Sequence, residues 1–209
     1  MSTEQPAPGT LRPRGRTERV RLAVIAATRD LLINVGYEDL SIERVAEQAG
    51  VAKSTVYRRW RDRTGLLLEL LDELSSVEIP FVDTGSVDED IRVLTLGIAK
   101  FFRDHTGAQL ALALIADAVH NPGAADGLRT FWARRNEAAA ASVRQAIDRG
   151  ELPADTDPVE VIRAIGAPLY YRLLVTHEPV GDDVAVRAAA AAVTAARAGV
   201  YARDPAAAH

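Results

Sequence analysis

Cysteine is absent from this 209-residue chain. That excludes disulfides and thiolate metal sites and permits a reducing compartment. No apolar run approaches the roughly 20 residues that a membrane-crossing helix requires. Met1 to Gly15 is polar and proline-rich with no apolar centre, so it does not read as a secretory signal. No segment alternates apolar and polar residues as a half-buried strand does, and no internal repeat is visible. Catalytic signatures are missing as well: there is no cysteine nucleophile, Gly-x-Ser-x-Gly elbow, glycine-rich nucleotide loop or metal box. His105, His120 and His177 have no partner at metal-ligand spacing. Asp104 and His105 are adjacent, which on a helix keeps them from facing each other. The expectation is a soluble cytoplasmic protein that is not an enzyme, needs no cofactor or metal and has no membrane partner.

What is present is enough for a core, since 48% of the residues are hydrophobic. The formal net charge of −4 is unevenly placed. Residues 1–65 hold 12 of the 25 basic and 8 of the 29 acidic residues, a net +4, and the remainder carries −8. A basic first third on an acidic remainder points to an anionic partner at one end; uneven scatter of surface charge is the plainer reading.

Glycine, proline and acidic caps punctuate a chain that otherwise reads as helix, about nine helices in all. Residues 1–16, with Pro6, Pro8 and Pro13 and with Arg12, Arg14 and Arg16, read as a disordered basic arm. Val20, Val24, Ala27, Leu31 and Val35 form the stripe of an amphipathic helix over 17–35, stopped by Gly36. Two short helices follow within 41–60, and a fourth starts near Asp62 with a leucine-rich face. Ser86-Val-Asp-Glu89 has the spacing of a capping box, predicting a helix to about His105. Further helices are predicted over 107–119 and from Ala124 to Arg149, the second closed by Gly150. Asp157-Pro-Val-Glu160 predicts a start for a helix reaching about Thr176, and Asp182 a cap for an alanine-rich helix to about Tyr201.

The stretch Ser41-Ile-Glu-Arg-Val-Ala-Glu-Gln-Ala-Gly-Val-Ala-Lys-Ser-Thr-Val-Tyr-Arg-Arg-Trp60 reads as helix–turn–helix. Ile42, Val45, Ala46 and Ala49 form the inner face of its first helix, with Ser41 as N-cap. Val51 and Val56 supply the inner contacts of the second, and Gly50 permits the positive φ of the turn. Lys53, Ser54, Thr55, Tyr57 and Arg58 are left outward, side chains suited to phosphate oxygens and groove edges. Gly50-Val-Ala-Lys-Ser-Thr55 is no phosphate-binding P-loop, because Ala52 and Glu47 stand where that motif needs glycines.

Val35 to Leu67 resembles the DNA-binding domain of the tetracycline-repressor (TetR) family of bacterial transcriptional regulators. Gly36, Tyr37, Ser41, Val45-Ala46, Ala49-Gly50-Val51, Tyr57, Trp60 and Leu66 match the family's pattern. Trp60 replaces its usual phenylalanine, and Arg63 its usual lysine. More weakly, Arg149–Pro158 and Gly166–Pro179 look like one branch of the family's regulatory domains. The resemblance implies an all-α homodimer with a helix-turn-helix DNA-binding domain over 17–62. Residues 63–209 would bind an effector and dimerise. Gly166, Leu169, Leu173, Ala189 and Val193 are the expected interface; an alanine-rich helix packed only within its own chain is the alternative.

In this reading Ser41, Arg44, Lys53, Ser54, Thr55, Tyr57, Arg58, Arg59 and Arg63 contact DNA. A cap alone, a core tyrosine and a solvated charge run are the alternatives for Ser41, Tyr57 and the arginines. Trp60 is expected in the core, fixing the fourth helix. Phe101, Phe102, His105, Gln109, Trp132, Asn136, Tyr170 and Tyr171 fall on helices expected to enclose an effector pocket. The function implied is a repressor released from a palindromic operator by a small-molecule effector. A helical protein-interaction module without DNA binding is the first alternative, and it leaves the Lys-Ser-Thr-Val-Tyr-Arg-Arg surface unexplained; an enzyme is the second, and it lacks the signatures above.

Overall fold

The computed structural model describes residues 13–203. Among them it contains nine α-helices, one π-helical turn and no strand. The helices are α1 (Pro13–Val35), α2 (Ile42–Gln48), α3 (Lys53–Trp60), α4 (Arg63–Glu78), α5 (Val87–Arg103), α6 (His105–His120), α7 (Pro122–Asp148), α8 (Pro158–Tyr171) and α9 (Asp182–Arg197). The chain divides into two compact units, Met1–Leu66 and Leu67–His209. The expected basic arm lies mostly outside the described residues, and from Pro13 the backbone is already helical.

In the first unit α1 buries Val24, Ala27 and Leu31, three members of its predicted stripe. The Thr28 hydroxyl on the same face is satisfied by the Val24 carbonyl at 2.8 Å. Ile42, Val45 and Ala46 of α2 and Val56 and Trp60 of α3 complete the core with Leu40 and Leu66. At seven and eight residues, α2 and α3 are too short to persist alone and are held by this burial. Ser41 caps α2 by accepting the Arg44 N–H at 3.3 Å. Gly50, at φ +65°, lets the Val51 N–H close on the Ala46 carbonyl at 3.0 Å and its own N–H on Glu47 at 3.1 Å. That paired closure needs a left-handed residue, hence the glycine. Asp62 caps α4 through the Gly65 N–H at 2.9 Å.

Gly65 is fixed by space, not by φ. A β-carbon there would lie 2.1 Å from the Trp60 carbonyl oxygen. The first turn of α4 therefore sits directly against the last turn of α3. Gly107 repeats the arrangement in the second unit, 2.2 Å from the Phe101 carbonyl oxygen.

In the second unit α9 packs on α5 and α8, and α7 packs on α6 and α8. Val87, Ile91 and Leu94 of α5 meet Ala139, Ala140 and Val143 of α7, Val161 and Ile165 of α8, and Ala189 and Val193 of α9 in one core. Asp157 caps α8 as expected, accepting from Val159 at 2.9 Å and Glu160 at 3.3 Å. Gly150, at φ +77°, closes α7. Three expectations fail here. Ser86 precedes α5 but makes no side-chain cap bond. Glu89 is engaged by Arg92 at 2.6 Å, and the carboxylate of distant Glu151 takes the Val87 N–H at 2.8 Å. Asp182 does not cap α9, because Gly181 holds that position and the Asp182 carboxylate pairs with Arg103. The α9 helix ends at Arg197, after which Gly199 turns the chain so that the Tyr201 carbonyl accepts from Asp157 N–H at 2.7 Å. The helical run from Pro158 does reach Thr176 as expected, as α8 to Tyr171 and then as a π-turn over Arg172–Thr176. Pro168 inside α8 supplies no N–H to the Ala164 carbonyl one turn back.

The expected dimer residues need correction. Leu169 is 0%, Ala189 3% and Val193 1% exposed, so all three lie in the protomer's own core. Gly166 lines a cavity and Leu173 is half-buried. The faces of these helices left exposed carry Tyr171, Val175, Val186, Ala190 and Ala191 instead.

Candidate nucleic-acid interface and ligand cavity

The α3 helix turns Val56 and Trp60 inward and leaves Lys53, Ser54, Tyr57, Arg58 and Arg59 exposed, with Thr55 half-buried. The side chains of Lys53, Ser54, Thr55 and Arg58 make no hydrogen bond or ion pair with any described residue. Ala52 precedes α3 without a side-chain cap, so the first N–H groups of the helix stay open to an external acceptor. This differs from α2, where Ser41 fills that role.

Other members of the predicted set have partners inside the unit. The Tyr57 hydroxyl donates to Glu43 Oε1 at 2.9 Å, tying α3 to α2. Glu43's carboxyl is held below its usual range by a backbone N–H and by that hydroxyl, and the Tyr57 phenol is pushed up by the same carboxylate. Arg44 Nη1 donates to the Asp39 carbonyl at 3.0 Å. Arg59 lies 5.2 Å from the centre of the Trp60 ring. Arg63 is half-buried, with its guanidinium 3.9 Å from the Tyr37 ring centre and Nη1 donating to the Tyr37 carbonyl at 3.0 Å. A lysine has no planar group to stack in this way. Arg63 is thus committed to its own domain.

The second unit holds a cavity of about 330 Å³, partly open to solvent, between α4, α5, α6, α7 and α8. Its walls are chiefly aliphatic and aromatic. Phe101, Phe102, Phe131, Trp132 and Tyr170 form a chain of edge-to-face contacts with ring centres 4.8–5.8 Å apart. Ser75, Arg135, Asn136 and Arg163 add polar groups to the lining. Burial pushes the Tyr170 phenol far above its ordinary value, with the Arg135 charge opposing it, so Tyr170 is neutral at any physiological pH. Burial likewise lowers the pKa of Arg135, whose guanidinium nevertheless stays charged.

Comparison with known proteins matches both units to one family. Residues 24–70 match the model for bacterial regulatory proteins of the tetR family, and residues 81–192 the model for a tetracyclin repressor-like C-terminal domain. The chain belongs to the TetR family. It is a helix-turn-helix, DNA-binding transcriptional regulator; regulators of this family bind operator DNA and function as dimers. The TetR-family relatives include the HTH-type transcriptional regulator AqdR of Rhodococcus erythropolis, 30% identical over 81% of this chain and 79% of that one. The regulator YdeS of Bacillus subtilis is 28% identical over 82% of this chain and 87% of its own. The crystal structure of the TetR-family regulator SCO0332 superposes with a TM-score of 0.75 at 27% identity, covering 84% of this chain and 97% of that one.

Within this TetR-family regulator the cavity collects five of the eight expected pocket residues: Phe101, Phe102, Trp132, Asn136 and Tyr170. His105, Gln109 and Tyr171 do not line it. His105 opens α6 on the exposed surface, and Tyr171 is 57% exposed because its neighbour Tyr170 takes the inward direction. Gln109 is half-buried away from the cavity. Arg135, outside the expected set, also lines the cavity. Its signal is a spacing: Phe131, Arg135 and Ala139 recur every four residues on α7, placing an arginine inside an otherwise apolar stripe. No described helix is long and apolar enough to cross a membrane.

Proposed function

We propose that this TetR-family protein is a repressor that dimerises on a palindromic operator in the cytoplasm and leaves it when a small molecule fills the α4–α8 cavity. The observation that carries the DNA-reading part is α3 itself: an inward face of Val56 and Trp60 and an outward face whose Lys53, Ser54, Thr55 and Arg58 side chains make no hydrogen bond or ion pair with a described residue. Lys53, Ser54 and Thr55 at the start of α3 reach base edges, while Arg58, Tyr57 and Ser41 meet phosphates. Arg44 and Arg59 lie at the edge of this surface, and Arg63 contributes mainly by steadying Tyr37. The Tyr57 hydroxyl reaches a phosphate only by leaving Glu43.

The second dimer half is supplied by the exposed faces of α8 and α9 rather than by Leu169, Ala189 and Val193. An effector acts by binding one state of the dimer better than the other, a population shift. Coupling requires an element common to both sites. The α4 helix follows Trp60 directly and contributes Leu71 and Ser75 to the cavity.

A gel-shift titration over the DNA upstream of the protein's own gene tests the reading. Wild type is expected to shift a sequence-specific fragment. Lys53→Ala and Tyr57→Ala should each weaken it by about 5- to 100-fold, the range of one good base or charged phosphate contact. Raising salt from 50 to 200 mM should cost about a thousandfold if six phosphates are neutralised. No specific shift, or one indifferent to both substitutions, overturns the proposal.

A further inference from the structure

Arg135 is a half-buried cation without a counter-charge. Its Nη2 donates to the Ser75 carbonyl at 3.2 Å and to the Ile79 carbonyl at 3.5 Å, and its guanidinium lies 4.6 Å from the centre of the Phe81 ring. No carboxylate lies within ion-pairing distance of it among the described residues. Asp72 acts on it from farther away, but its carboxylate is held by Arg134 at 2.5 Å. The carbonyls at the end of α4 therefore occupy one guanidinium nitrogen and leave Nη1 and Nε without a partner among the described residues. A buried charge in that condition costs stability unless something else pairs with it.

The groups around it do not supply the missing charge. Tyr170 and Asn136 line the same cavity, and neither the Tyr170 hydroxyl nor the Asn136 amide is bonded to a described residue. Both are neutral. The other cation in the lining, Arg163, is already paired with Glu160. The rest of the wall is aliphatic side chains and the rings of Phe81, Phe101, Phe102, Phe131 and Trp132. Such a wall accepts a flat apolar body, while a guanidinium with N–H groups to spare and no counter-charge matches a carboxylate.

We infer that the cavity selects an aromatic monocarboxylate: the carboxylate pairs with Arg135, the Asn136 amide and Tyr170 hydroxyl supply neutral hydrogen bonds, and the ring system lies among the aromatic side chains. The inference rests on the reading of this cavity as the effector site and adds the chemistry of the effector.

Calorimetric titration of the full-length protein with 2-naphthoate and with its neutral isostere 2-naphthamide separates the two layers. The carboxylate is expected to bind at least about tenfold more tightly than the amide, the value of one charge-assisted contact. Arg135→Gln should abolish that preference while leaving amide affinity within about twofold, and Trp132→Ala should weaken both probes. Because Arg135 also clamps the end of α4, Arg135→Lys serves as a second variant: it keeps the charge and should keep part of the preference even if the glutamine variant fails to fold. Equal affinity of wild type for the two probes, or a preference that survives in Arg135→Gln, overturns the anion selectivity and leaves the cavity a ligand site. If neither probe binds wild type, the effector-site reading falls and takes this inference with it.

Discussion

Trp60→Ala is expected to destabilise the N-terminal unit by about 3–5 kcal/mol, the usual cost of deleting a buried indole. Trp60 is 4% exposed and shares its core with Val56 and Leu66, both fully buried. The unit spans 66 residues, and a domain of that size has only a few kcal/mol in reserve. The eight-residue α3 has no stability of its own to fall back on. Operator binding should therefore vanish although no DNA-facing side chain has changed. Trp60→Phe retains an aromatic of smaller volume and should cost about 1 kcal/mol. Urea denaturation followed by circular dichroism, with amide exchange of residues 53–60, reads both variants. Amide protection of α3 that is unchanged in Trp60→Ala would show that the indole does not hold the helix.

Leu169→Ala and Ala190→Asp should separate folding from assembly. Leu169 is fully buried in the α5–α7–α8–α9 unit, so its truncation should cost about 2–5 kcal/mol and lower the melting temperature without altering oligomeric state at low temperature. Ala190 lies on the exposed face of α9, one turn from Val186. An aspartate there leaves the protomer core untouched but would place an unpaired carboxylate from each protomer in the proposed α8–α9 interface. The expected outcome is monomers in sedimentation velocity with a protomer fold unchanged by circular dichroism. A dimer that survives Ala190→Asp and dissociates in Leu169→Ala would restore Leu169, Ala189 and Val193 to the interface.

The sequence reveals most where one residue type has one physical use. Gly50 stands at a turn that needs positive φ, Asp157-Pro158 at a helix start, and Val24, Ala27 and Leu31 at helical spacing; each does what its chemistry requires. Legibility fails where many identical small residues offer two equivalent faces. In Ala188 to Ala192 every position is alanine, and only packing against α5 and α8 decides that 188, 189 and 192 turn inward while 190 and 191 turn out. It also fails where the partner is distant in the chain. The Ser86 capping box is undone by Glu151, 64 residues away from Val87, and by Arg92 claiming Glu89. The cavity sits between these cases. Aromatics on α5, α7 and α8 were legible as a set, yet which of Tyr170 and Tyr171 points inward depends on the rotation of α8. Arg135 is hidden in the sequence because an arginine reads as surface until its apolar neighbours at four-residue spacing are taken into account.

The contact between Gly65 and the Trp60 carbonyl bears on which variants of this protein a population can sample. Gly36 and Gly50 have positive φ but open space around the absent β-carbon. In a saturation library selected for operator binding, asparagine and aspartate should persist at both, since these residues tolerate left-handed backbone. Position 65 has ordinary helical backbone and no room at all, so alanine, the mildest change in most helices, should disappear from the selected pool together with every larger residue. The same should hold for position 107 in a selection for folded protein. Two glycines that look like weak points in their helices are thus the least replaceable residues of their turns.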